Sequence, residues 1–176
     1  MIFRTIVVFL VIVSSASYAF EKCSTTTLGK LEYIWGQGVK DKQSRILLNG
    51  TEVFKIDSYQ IGENVIGDGR VLDKKNNISK LIVYYKFNTK QYITTDPKYG
   101  DLYRHKAYRL FDFSGEKVVI SNEFYPPADY DAPIKWVSWG QKNVVIAFGD
   151  GSRFKYEKGN VSMIDKGIEK INGGEK

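Results

Sequence analysis

Leu81-Ile82-Val83-Tyr84-Tyr85 is a run of five apolar and aromatic residues with no polar side. A strand with one wet face alternates apolar with polar residues. A run without alternation therefore reads as a strand covered on both faces. Arg153-Phe154-Lys155-Tyr156 does alternate, as a half-exposed strand should. Both kinds of strand occur together in a sandwich or a barrel.

The segments around this run share one format, in which two β-prone stretches are joined by turn residues. Arg45-Ile46-Leu47-Leu48 meets Asn49-Gly50 and then Thr51 to Ile56. Both Asn and Gly tolerate the positive φ of a type I′ turn, so this is a strong hairpin signal. Leu81 to Phe87 is expected to turn at Asn88-Thr89 into Gln91 to Thr94. Tyr108 to Phe113 turns at Ser114-Gly115 into Val118 to Ser121, and Val144 to Phe148 turns at Gly149-Asp150-Gly151 into Arg153 to Tyr156. Trp35-Gly36-Gln37 and Trp139-Gly140-Gln141 each precede a hairpin whose second strand carries Phe-Lys, at Phe54-Lys55 and Phe154-Lys155. This echo reads either as an old duplication or as two hairpins packed alike.

The expected fold is therefore mostly β, an antiparallel sandwich or barrel built from consecutive hairpins, with a small propeller-like closure as the alternative. Ile164, Ile168 and Ile171 are spaced by four and three, which fits a short helix within 163–176, or else that segment is a flexible tail. Aromatic residues make up 14% of the chain and cluster in the strand runs, where their first use is to fill a core.

Residues 1–19 have the order of a secretory leader: Arg4, the apolar run Ile6 to Val13, then Ser17-Tyr18-Ala19 as a small-x-small cleavage site. The apolar run is well short of the roughly 18 to 20 residues that span a bilayer. Cleavage would start the mature chain near Phe20, leaving a single β-rich domain over 20–162. The expected location is periplasmic or secreted, with no membrane span after cleavage. Cys23 is the single cysteine, so no intramolecular disulfide can form. Phe20-Glu21-Lys22 before it lacks the small apolar character of a lipid-attachment site.

The net charge of +6 is spread along the chain without a basic helix or patch, which argues against a nucleic-acid partner. One histidine, His105, stands among Arg104 and Lys106, and one cysteine stands far from it. That inventory provides neither a His-based triad nor a usual zinc site, and no cofactor is expected. Gly149-Asp150-Gly151 lacks the lysine and helix of a phosphate loop. Asn49, Asn77 and Asn160 begin Asn-x-Ser/Thr triplets that a eukaryotic secretory route would use for glycans.

Two loops combine aromatic residues, acids and prolines: Asp96, Tyr99 and Asp101 in one, and Tyr125, Asp129, Tyr130 and Asp131 in the other. Stiff aromatic loops on a β scaffold are where binding resides. The chain is accordingly expected to be a non-catalytic protein-binding module, an inhibitor or immunity protein that neutralises a toxin or hydrolase in the envelope. Tyr130 is its expected aromatic anchor. A carbohydrate- or cell-wall-binding module is the first alternative, which exposed Trp35, Trp136 and Trp139 in a row would favour. A glycoside hydrolase using two of the loop acids is the second.

Overall fold

The computed structural model describes residues 21–36, 43–58, 61–63, 70–88, 104–127, 132–140 and 143–167. They form thirteen strands and, among the described residues, no helix. In chain order these are β1 (Glu21–Thr26), β2 (Gly29–Ile34), β3 (Gln43–Leu48), β4 (Thr51–Asp57), β5 (Ile61–Glu63), β6 (Arg70–Leu72) and β7 (Ile78–Asn88). After them come β8 (Arg104–Asp112), β9 (Val119–Ile120), β10 (Ile134–Trp139), β11 (Val144–Phe148), β12 (Ser152–Glu157) and β13 (Asn160–Lys166). A larger sheet runs β4-β3-β2-β1-β7-β8-β9 with β5 and β6 also paired to β7, and a smaller one runs β10-β11-β12-β13. Every pairing is antiparallel except a single parallel contact of Thr26 with Ile78.

The larger sheet curls into a half-barrel, and β7 with β8 is the wall that both sheets share. Leu81, Val83 and Tyr85 point into a core with Leu31, Tyr33, Ile46, Ile61, Ala107 and Phe111. Ile82 points the other way, into a core with Leu110, Ile134, Ile146, Phe148 and Phe154, and Tyr84 packs against that core. The unalternating run is thus buried on both sides, as expected, because period-2 alternation sends its residues into two different cores. Aromatic contacts fix the curl. The Phe54 ring of β4 lies 5.7 Å from that of Phe111 and 6.1 Å from that of Tyr85, so the edge strand arches over β7 and β8. On the opposite face Tyr108, Phe124, Phe148 and Phe154 form one cluster with centroids 5.1–6.3 Å apart. Two sheets on a shared wall make a sandwich-like half-barrel, and the propeller alternative falls.

The Asn49-Gly50 hairpin joins β3 to β4 with φ of 52° and 77°, both positive, as a type I′ turn requires. No atom lies within 4 Å of a side chain added at Gly50. Gly50→Val is therefore expected to act through backbone strain alone, at about 1 kcal/mol or more. A urea denaturation midpoint equal to that of the parent would refute it.

The Ser114-Gly115 and Gly149-Asp150-Gly151 turns also return the chain as expected, into β9 and β12. The expected turn at Asn88-Thr89 runs into residues outside the described set. Asn88 is still in register with Arg104, and the strand returning along β7 is β8, because the apolar pattern of Tyr108 to Phe113 matches both faces of β7. Gln91 to Thr94 lie outside the described residues. The reading of the C-terminal segment as a helix or a tail is corrected over its first residues: β13 continues through Met163 and Ile164 to Lys166, held by β12 through Arg153↔Asp165 and Phe154↔Met163. Residues 168–176 lie outside the described set. The Trp-Gly-Gln echo extends to pairing, since Ile46 faces Phe54 in one meander and Ile146 faces Phe154 in the other.

Candidate functional site

Beyond β9 the chain returns to the sheet once, at Phe124. Its amide and carbonyl exchange bonds of 3.0 and 2.9 Å with Tyr108, and its ring enters the aromatic cluster. Asn122 ties the same stretch to the smaller sheet, accepting from the Val161 amide at 2.6 Å and donating to the Val161 carbonyl at 2.9 Å. Tyr125 comes next and is 38% exposed, followed by Pro126, which is buried. On the far side of the loop Ala132 and Ile134 are buried, and the Pro133 carbonyl accepts from the Gly149 amide at 2.9 Å. The loop 125–133 therefore leaves and re-enters the fold at two fixed points.

Of the residues singled out in the sequence for binding, Tyr125 is the one whose position is described. Asp129, Tyr130 and Asp131 in this loop, and Asp96, Tyr99 and Asp101 in the other, lie outside the described residues. The backbone of His105, in β8, pairs with that of Phe87 in β7.

Trp136 is 42% exposed on β10, just past the loop. Strict alternation would have placed it on the face of Ile134, in the core. A bulge between Ile134 and Trp136 shifts the register, so Ile134 and Val137 turn inward while Lys135 and Trp136 turn outward. Trp35 and Trp139 are partly buried, each packed on a different core. The three indoles therefore do not form the row that a sugar platform would need.

Two polar clusters that the sequence did not reveal lie in and beside the half-barrel. The Glu63 side chain is 0% exposed. It accepts from the Ser24 hydroxyl and has Lys22 Nζ at 3.3 Å and an Arg70 guanidinium nitrogen at 4.0 Å. Burial, then the Glu63 charge, raises the nearby Tyr33 phenol well above its ordinary range. A buried carboxylate with cations at its mouth holds β5 and β6 against β1 and β2, and its charge is already compensated. Nearby, Tyr85 donates to Glu123, while Arg109 donates to the Ser121 carbonyl at 2.7 Å and stacks over Phe54 at 5.4 Å. Burial, then Glu123, raises the Tyr85 phenol.

Asp112 at the end of β8 joins the two sheets. Its Oδ1 takes bonds from Lys80 Nζ at 3.1 Å and from the Ser114 amide at 3.0 Å, and its Oδ2 takes one from the Tyr156 hydroxyl at 3.1 Å. Burial pushes the Asp112 carboxyl up, but the bonds from Ser114 and Lys80 outweigh it and hold the group below the ordinary carboxylate range. Burial and then the Asp112 charge push the Tyr156 phenol up to about 12. A lowered folded-state pKa means that the unfolded chain binds the proton first on acidification. The stability Asp112 supplies is complete above its unfolded value, 3.8, and is lost as pH falls through the lower folded value. Asp112→Asn is expected to be less stable than the parent at neutral pH, with the gap closing below about pH 4. Chemical denaturation over that range checks this, and a gap independent of pH would contradict it.

No protein-family model, curated protein or solved structure matches the chain.

Proposed function

We propose that this is an exported, non-catalytic protein-binding module, an inhibitor or immunity protein of the periplasm or the secreted medium that occupies and neutralises a toxin or hydrolase. The leader-like order of residues 1–19 supports export. The observation that carries the binding reading is the loop 125–133. It is pinned by Phe124 at one end and by Pro133 and Ile134 at the other, and exposed Tyr125 and Trp136 flank it. Aromatic anchors on a preorganised loop bind at low entropic cost.

The test uses the mature chain from Phe20, with a partner captured from its own cell envelope and then purified. Y125A/W136A is expected to weaken binding tenfold or more, as loss of a hot-spot aromatic typically does at about 2 kcal/mol. Replacing Asp129, Tyr130 and Asp131 together by alanine is expected to do the same. Because both described side chains are substantially exposed, the melting temperature of the first variant should stay close to that of the parent. Unchanged affinity in both variants removes the loop from the interface.

A further inference from the structure

The β7–β8 ladder carries two charged cross-strand pairs, and they differ in sign. Lys80 faces Asp112 with Nζ 3.1 Å from Oδ1, a complementary pair. Lys86 faces Lys106. Like charges directly opposite one another destabilise a sheet. Both lysines are half-buried, and cross-strand register brings them to directly opposite positions on one face. Among the described residues neither side chain has an ion pair or a hydrogen bond. Arg104 precedes Lys106 by two positions in β8, in register with Asn88.

The pair stands next to the loop. Lys106 is two residues from Tyr108, whose pairing with Phe124 leads directly into Tyr125 and Pro126. The Tyr108 ring is also 5.1 Å from that of Phe148, and the next residue, Gly149, holds Pro133 at the loop's far end.

We propose that Lys86 and Lys106 form a carboxylate clamp beside the loop, so that the partner is a protein presenting clustered Asp or Glu side chains to this face. The clamp rests on the protein-binding reading and specifies the chemistry of its partner. A polyanion is the poorer fit, because nucleic-acid binders gain affinity from roughly 6–10 phosphate contacts. Two lysines beside a loop that opens on exposed Tyr125 instead match a protein interface, where aromatic anchors supply affinity and complementary charge supplies rate and specificity.

Two measurements on the mature chain test the clamp. K86E converts the like-charged pair into an opposite one, so the melting temperature is expected to rise by about 1–4 °C. A fall would mean that the lysines are already compensated within the chain, which overturns the clamp. In low salt, a short oligo-glutamate peptide is expected to bind the parent and to lose tenfold or more in affinity to both K86E and K86Q/K106Q. Equal binding to parent and variants overturns the proposal, as does lysine-dependent binding to phosphatidylglycerol vesicles or oligo-thymidine that is tighter than to the peptide. With the captured partner, an effect of Y125A/W136A and none of K86Q/K106Q would sink the clamp and leave the protein-binding reading standing.

Discussion

Ile82→Ala is expected to lower the unfolding free energy by about 2–5 kcal/mol, the usual range for truncating a fully buried aliphatic side chain. Ile82 is 0% exposed and touches the core beneath the smaller sheet, whereas its neighbour Leu81, equally buried, faces the core of the half-barrel. Leu81→Ala is expected to cost a similar amount through the other core. Because one strand serves both, each variant should loosen the whole domain and leave neither half folded alone. Trp35 packs on the half-barrel core and Trp139 on the other, so variants keeping one of these tryptophans as the sole fluorophore report the cores separately. Their unfolding curves should coincide in the parent and in both alanine variants. Two separated transitions would show that β7 does not couple the cores.

The next largest effect is expected at Gly29, where φ is +125° and a Cβ would lie 2.0 Å from Asn49 Oδ1. The Asn49 amide bridges two hairpins there, accepting from the Lys30 amide at 2.9 Å and donating to the Leu28 carbonyl at 2.8 Å. Gly29→Ala adds backbone strain of about 1–3 kcal/mol and displaces an amide whose two bonds are worth about 1 kcal/mol each. A loss of about 3 kcal/mol is therefore expected from urea denaturation. Asn49→Gly keeps the turn and removes the obstacle. In that background Gly29→Ala should retain only the strain, and a cost equal to that in the parent would mean the close approach contributes nothing.

How much of this was legible depends on the distance over which each feature is decided. The two-faced strand and the type I′ turn follow from contiguous residues, so Leu81 to Tyr85 and Asn49-Gly50 could be assigned from the sequence. Asn49 was assigned to its turn and no more, because its side-chain partners Leu28 and Lys30 arrive from another hairpin. Register across a long connection is invisible in one sequence, which is why the pairing of β7 with β8 and the meeting of Lys86 with Lys106 were missed. A bulge breaks the alternation that sequence reading relies on, and it turned Trp136 outward. Glu63 gave no signal because its three-residue strand is too short to show a period. The loop 125–133 was identified from its prolines and aromatics, and the structure adds the anchors at its two ends.

The position of β7 and β8 between two cores also sets an order of events for a chain that emerges from its N-terminus. The β1–β4 meander forms from neighbours in sequence and is complete by Asp57, but its apolar face has no cover until residues 78–112 arrive. The β10–β13 meander, made last, finds its docking surface already present. Early contacts in the first half must therefore wait on later synthesis, and the waiting species displays Leu31, Tyr33 and Ile46 to solvent. A helper that shields hydrophobic strands would act on that N-terminal intermediate, before the wall is built.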